Sequence, residues 1–238
     1  MADFLLIHGS CHGAWCWHRV LPALEALGHR VRAIDLPSHG RDQTPAAQVT
    51  LDHYARAITG ALSAPTIVVG HSMAGYAITA AAEHDPRHIA ALTYLCAYVP
   101  ITGLSLAQMR KAGPRQPLAP AIRLSPDRIS FTFDPEMADD LFYHDCDPEA
   151  RALAQLCLTP QPVLPQETPL TLSPRSQSLP RFYIRCSEDR AIPPDYQATM
   201  AQDLPPRHRS DLAASHSPFF SMPEALAQRL HAIAQSLS

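Results

Sequence analysis

The stretch Thr66-Ile67-Val68-Val69-Gly70-His71-Ser72-Met73-Ala74-Gly75-Tyr76 constrains this chain more than any other. Its apolar, β-branched residues read as a buried strand that stops at a glycine, with a serine two residues later. Ala74, Gly75, Ala77, Ala80, Ala81 and Ala82 then predict a helix of small residues. Strand, tight turn and helix in that order are the layout of a nucleophile elbow, which holds a serine on a strained turn with its hydroxyl above the sheet. Small neighbours are needed because strand and helix almost touch at the corner. The helix N-terminus adds backbone N–H groups and partial positive charge beside the hydroxyl. The usual pattern is G-x-S-x-G; here Gly70 and Ser72 are in place, the last position is Ala74, and Gly75 stands one further on. The competing reading is an ordinary strand-to-helix turn with Ser72 as a helix cap.

The segments on either side supply a context. Phe4 to Ile7, Val31 to Ile34, Thr66 to Val69, Ile89 to Cys96, Phe182 to Cys186 and His208 to Leu212 read as strands. Helical stretches lie between or after them at Leu21 to Leu27, Leu51 to Leu62, from Ala74, Pro194 to Leu204 and Pro223 to Leu237. Strands alternating with helices at this spacing predict an α/β fold: about six mostly parallel strands with helices on both faces. Between Pro100 and Pro180 prolines recur, and only Met137 to Tyr143 and Pro148 to Leu158 read as short helices. The aromatic and leucine content there argues against disorder. The expected organisation is therefore a core of residues 1–100 and 180–238, with residues 101–179 inserted as a cap over the strand ends.

A chain of 238 residues can bury one sizeable core. A net charge of −3 without a basic run argues against nucleic acid or an anionic membrane as partner. No apolar stretch reaches spanning length, and the N-terminus lacks the basic region of a signal peptide, so a cytoplasmic location is expected. The six cysteines form no CxxC pair and are read as reduced. Among the 13 histidines there is no H-E-x-x-H or Cys/His cluster, and no metal is expected. His53, His84 and His231 read as surface residues on helices.

A serine used for acyl transfer needs a base and an orienting acid, which follow it in the order acid, then histidine, in this layout. Asp189 follows the fifth strand and His216 the sixth. All strand C-termini of a parallel sheet open on one edge, so Ser72, Asp189 and His216 can meet there. His216 would take the hydroxyl proton and Asp189 would fix the imidazole tautomer. Glu188 is the rival acid, one residue away. His71 is expected to pack or to line the pocket, since successive side chains at a tight turn diverge. Two backbone N–H groups, of Met73 and Ser10, are the expected oxyanion donors.

Together, Phe4-Leu-Leu-Ile-His-Gly-Ser-Cys-His-Gly-Ala-Trp-Cys-Trp, Gly70-His-Ser-Met-Ala-Gly and Tyr183-Ile-Arg-Cys-Ser-Glu-Asp-Arg-Ala-Ile-Pro resemble an α/β-hydrolase group. That group holds plant methylesterases, a salicylate-binding esterase, α-hydroxynitrile lyases and related bacterial esterases. The resemblance implies a Ser72–Asp189–His216 triad. Lyases of this type carry threonine directly after the histidine of the first loop and lysine directly after the catalytic histidine. Gly9 and Ser217 stand at those positions, which favours hydrolysis of a small, largely apolar carboxylic ester, methyl esters included, through an acyl-enzyme. The expected pocket comprises Gly9, His12, Trp15, Tyr98, Phe131, Phe142, Tyr143 and Ser217. No cofactor is implied, the partner is a small-molecule ester, and the chain is expected as a monomer or homodimer. A carbamate or amide hydrolase would use the same triad, while a hydroxynitrile lyase and a non-catalytic small-ligand binder are the remaining alternatives. A dehalogenase would carry Asp where Ser72 stands.

Overall fold

A computed structural model describes residues 1–237. In chain order, β1 (Asp3–Ile7), α1 (Val20–Ala26), β2 (Arg30–Ile34), α2 (Leu51–Gly60), β3 (Thr66–His71), α3 (Ala74–His84) and β4 (Ile89–Leu95) form the first half. After them come α4 (Leu106–Ala112), β5 (Ile122–Leu124), β6 (Ser130–Phe133), α5 (Pro135–Tyr143), α6 (Pro148–Cys157), β7 (Gln161–Pro162), α7 (Leu164–Glu167) and α8 (Pro174–Gln177). The chain closes with β8 (Arg181–Cys186), α9 (Pro194–Met200), β9 (Arg209–Leu212), α10 (Pro218–Ser221) and α11 (Pro223–Ser236).

The six strands β2-β1-β3-β4-β8-β9 make one sheet in that spatial order, and every pairing in it is parallel. Successive side chains of a strand point to opposite faces, and the sequence uses both. Phe4, Leu6, Ile67, Val69, Phe182 and Ile184 pack into one apolar layer that includes Leu24, Leu226 and Leu230 from α1 and α11. Leu5, Ile7, Val68, Leu92, Tyr94 and Tyr183 face the other way, with Tyr54, Ile58, Ala77 and Ile78 from α2 and α3. Burial on both faces explains why these strands read as continuous apolar runs. The register pairs Ile7 with Gly70 and His71 with Leu95, and pairs Cys186 with Leu212. The loops after β1, β3, β8 and β9 therefore leave the sheet along one edge.

The segment between β4 and β8 is more regular than its sequence suggests. It holds a second, antiparallel sheet in the order β5-β6-β7, built from strands of only two to four residues. Several polar contacts tie it to the rest. Gln161 donates to the Tyr54 hydroxyl at 3.1 Å, and Glu83 accepts from the Ser173 N–H at 2.8 Å and from the Ser176 hydroxyl. Asp145 and the Phe142 carbonyl accept from the N–H and hydroxyl of Ser215, at 2.8 and 3.1 Å. His231 departs from its expected surface position: it is half-buried on α11, and its Nδ1 lies 2.8 Å from His29 Nε2. All six cysteines are free. Among the described residues no helix is long and apolar enough to cross a membrane.

Candidate active site

Ser72 sits between β3 and α3 with φ = +55°, the left-handed region that non-glycine residues rarely adopt. Its backbone is held from three directions. The Ser72 N–H donates to the Leu95 carbonyl at 3.1 Å, and its carbonyl accepts from Gly75 at 3.2 Å and Tyr98 at 3.1 Å. Space at the corner is minimal. A Cβ on Gly70 would lie 2.7 Å from the Ala74 carbonyl oxygen, and one on Gly75 would lie 2.0 Å from that of Tyr98. The methyl group of Ala74 is fully buried. The crowding that G-x-S-x-G relieves at its last glycine is here relieved one residue later, at Gly75.

Side chains from the ends of β8 and β9 reach this turn. His216 Nε2 lies 3.0 Å from Ser72 Oγ, and His216 Nδ1 lies 2.7 Å from Asp189 Oδ2. Asp189 and His216 are 4 % and 2 % exposed. The carboxylate is held by three further donors: Oδ1 accepts the N–H groups of Ala191 and Ile192 at 2.7 and 2.9 Å, and Oδ2 accepts from Gln197 at 2.8 Å. With Nδ1–H donated to Asp189, the Nε2 lone pair faces the serine hydroxyl, which is the tautomer a general base requires. Glu188, the rival acid, points to solvent.

Around this chain of hydrogen bonds lies a shell of neutral imidazoles. His71 Nε2–H donates to the His216 carbonyl at 2.8 Å, fixing the loop that carries the base. His12 Nδ1–H donates to the Ser10 carbonyl at 2.8 Å, and its Nε2 accepts from the Tyr143 hydroxyl at 2.7 Å. His8 donates to the Gly9 carbonyl at 2.9 Å and accepts the Leu36 N–H at 3.0 Å, which shapes the loop after β1. Burial is the main reason why all three resist protonation: it holds His8 and His71 well below the ordinary imidazole range and His12 at about 4.

A narrow recess opens on Ser72. Its lining includes Ser10, His12, His71, Met73, Tyr98, Phe142 and His216 from the expected set. The backbone N–H groups of Ser10 and Met73 meet no acceptor among the described residues and stand beside the serine. Gly9, Trp15, Phe131, Tyr143 and Ser217, expected in the pocket, do not line the recess. Gly9 is pressed against His71 and Ser72, with no room for a Cβ. Trp15 stacks on His12 at 5.5 Å and Tyr143 bonds it from behind. Phe131 packs edge-on against Phe133 at 5.5 Å, and Ser217 is buried with its N–H donated to Ser215 Oγ at 3.2 Å. The aromatic residues thus shape the lining from one layer back.

Leu106, Arg110, Leu118, Phe133 and Gln166 complete the lining and were missed by sequence reasoning. A signal existed for two of them. Ser105-x-x-Gln108 forms a capping box, with the N–H groups of Ser105 and Gln108 each bonded to the other's side chain, and so opens α4. Leu106 and Arg110, four residues apart, then share one face of it. Gln166 Nε2 donates to Ser10 Oγ at 2.7 Å, a contact across 156 positions that no local pattern announces.

His71, Cys96 and His216 bring possible metal-ligand atoms together. Both nitrogens of His216 are engaged, as is His71 Nε2, and burial keeps the Cys96 thiol far above its ordinary pKa. The donor set does not fit a metal ion, which would need a thiolate and free imidazole lone pairs.

Comparison with known proteins agrees with this architecture. Methylesterase 7 of Arabidopsis thaliana is 33 % identical over 248 residues, spanning 97 % of this chain and 95 % of the relative. A pyrethroid hydrolase of Sphingobium wenxiniae is 31 % identical over 246 residues, spanning 97 % and 86 % of the two chains. A crystal structure of a pyrethroid hydrolase superposes with a TM-score of 0.86 at 28 % identity, covering 98 % of this chain and 97 % of the other. A model of the alpha/beta hydrolase family matches residues 4–229. With a parallel six-stranded sheet, a serine on a strained turn after its third strand and this match over nearly its whole length, the chain belongs to the α/β hydrolase family.

Proposed function

We propose that the chain hydrolyses small carboxylic esters, apolar around the scissile bond and methyl esters among them, through a covalent acyl-serine. The observation that carries this reading is the unbroken path of hydrogen bonds from Ser72 Oγ through His216 to Asp189, buried and backed by three further donors. Likeness to methylesterases and a pyrethroid hydrolase supports the ester as substrate.

In the proposed cycle Ser72 Oγ attacks the ester carbonyl carbon while His216 Nε2 takes the hydroxyl proton. The carbonyl oxygen becomes an oxyanion that the N–H groups of Ser10 and Met73 receive, without the reorganisation that water would need. Asp189 stabilises the imidazolium, which then protonates the departing alkoxide as the C–O bond breaks. His216 next draws a proton from water, hydroxide adds to the acyl carbon, and the acid leaves as the proton returns to Ser72. Residues 101–179 would act as the cap: Leu106, Leu118, Phe133 and Phe142 give the acyl or alcohol group an apolar enclosure that excludes bulk water. Against cyanide release stand Gly9, where the lyases this chain resembles carry threonine, and Ser217, which offers no charge for that leaving group.

The test is a chain-length series of p-nitrophenyl esters, extended to methyl esters and carbamates, on wild type and Ser72→Ala. Turnover of short acyl chains is expected, reduced at least about a thousandfold in the variant, because a nucleophile and its base act as a unit. A folded Ser72→Ala protein retaining wild-type turnover would overturn the reading.

A further inference from the structure

Arg110 is a cation whose side chain has no hydrogen-bond or ion-pair partner among the described residues. It lies on α4, is half-buried, and lines the same recess as Ser72. Its guanidinium makes no hydrogen bond and no ion pair within 4.0 Å to any described residue, although every other polar side chain lining the recess is hydrogen-bonded except one. The exception is Tyr98, whose hydroxyl also meets no hydrogen-bond partner among the described residues. Glu167 on α7 is exposed and contributes only a distant attraction. Three other half-buried arginines are ion-paired: Arg19 with Asp147, Arg151 with Asp139 and Arg185 with Asp211. A guanidinium stays charged at any working pH. Burial costs it hydration, a cost normally offset by a carboxylate. Among the described residues no carboxylate pairs with Arg110, and the residue lines the recess that a substrate would enter.

We infer that the recess takes an ester bearing a second, anionic carboxylate: the monoester of a short dicarboxylic acid, with its ester carbonyl at Ser72 and its free carboxylate against Arg110 and the Tyr98 hydroxyl. The inference rests on the esterase reading and names the substrate class for it. Guanidinium and phenol would donate to the two carboxylate oxygens, a charge-assisted arrangement stronger than a neutral hydrogen bond. The apolar walls from Leu106, Leu118, Phe133 and Phe142 would enclose the methylene chain between the two ends. Binding at a remote anion in this way fixes the scissile bond in register with the nucleophile.

The experiment compares monomethyl succinate, glutarate and adipate with the corresponding methyl ester monoamides, which have nearly the same shape and no charge. kcat/KM is measured for wild type, Arg110→Met and Arg110→Lys, with thermal unfolding of each to verify folding. Expected is a preference of about tenfold or more for the charged member at one chain length. Arg110→Met should abolish that preference, Arg110→Lys should restore part of it, and raising the salt should weaken it. Equal rates for charged and uncharged members in wild type, or equal losses on both in Arg110→Met, would overturn the inference and leave the esterase reading intact. Calorimetric titration of Ser72→Ala with monomethyl glutarate separates the two further. Binding that disappears in the Ser72→Ala/Arg110→Met double variant upholds the anion site even if no ester is turned over. Binding unaffected by Arg110→Met removes it.

Discussion

Gly75→Ala is the substitution by which the corner under Ser72 can be judged. One added methyl carbon would start 2.0 Å from the Tyr98 carbonyl oxygen and must retreat by about 1.4 Å to reach ordinary contact. Neither partner is a flexible side-chain tip. One is the first turn of α3, the other a backbone carbonyl whose own residue donates its N–H to the Ser72 carbonyl. Overpacking a well-filled interior costs about 1–3 kcal/mol, and a backbone-on-backbone collision belongs at the upper end. For a chain of this size roughly 3 kcal/mol lowers the melting temperature by about 6–12 °C. The elbow must also move, and a displacement of about 1 Å near reacting groups costs on the order of a hundredfold in rate. The assay is thermal unfolding beside turnover of p-nitrophenyl acetate, with Ala74→Gly as the companion. That reverse change loses one methyl and some helix propensity, about 1–2 kcal/mol, and leaves the corner open, so its rate should stay within about threefold of wild type. A Gly75→Ala protein with wild-type melting temperature and rate would refute the argument that contact at Gly75 sets the elbow.

Gln197→Leu removes a fully buried amide that donates to Asp189 and to the Ile192 carbonyl, at 2.8 and 2.7 Å, and accepts the Cys186 N–H at 3.1 Å. Leaving two backbone groups unpaired should lower the melting temperature by about 5 °C or more. The rate should fall far less than in Ser72→Ala, because the Ala191 and Ile192 N–H groups still hold the carboxylate; an unchanged melting temperature would contradict this account. Acid should destabilise the fold through its buried imidazoles. A histidine whose folded pKa is depressed gives stability that is whole above its unfolded value of 6.5 and is lost as pH falls toward the folded one. For His12, at about 4, that is about 3 kcal/mol over the window from pH 6.5 to 4, with His8 and His71 acting in the same direction. Melting temperatures measured from pH 7 to 4 should fall steadily, and a flat profile would sink the claim that these rings are buried neutral.

The core and the three residues at its edge were legible because their signals are local and strong. Phe4 to Ile7 and Thr66 to Val69 are runs that only a doubly covered sheet can bury, and Ser72, Asp189 and His216 each follow a strand whose end lies on a shared edge. The recess was less legible because its walls are set by contacts distant in sequence. Phe142 and Phe133 are both aromatic residues of the same proline-rich segment, and pattern alone ranked Phe131 in place of Phe133, although strand alternation puts them on one face of β6. Trp15 and Tyr143 were natural choices for a pocket, yet both are used to hold His12. The strands β5 to β7 went unseen because runs of two to four residues carry no period to read.

Gly9 has a meaning beyond its own loop. A Cβ there would stand 2.7 Å from His71 Nδ1 and 3.0 Å from Ser72 Cβ, so residues 9 and 71 compete for one volume. Any side chain placed there, the threonine expected in a cyanide-releasing relative included, must displace the imidazole that braces the His216 loop. Positions 9 and 71 are thus coupled: a side chain gained at the first must be matched by a change at the second, and it would act on the His216 loop without touching it.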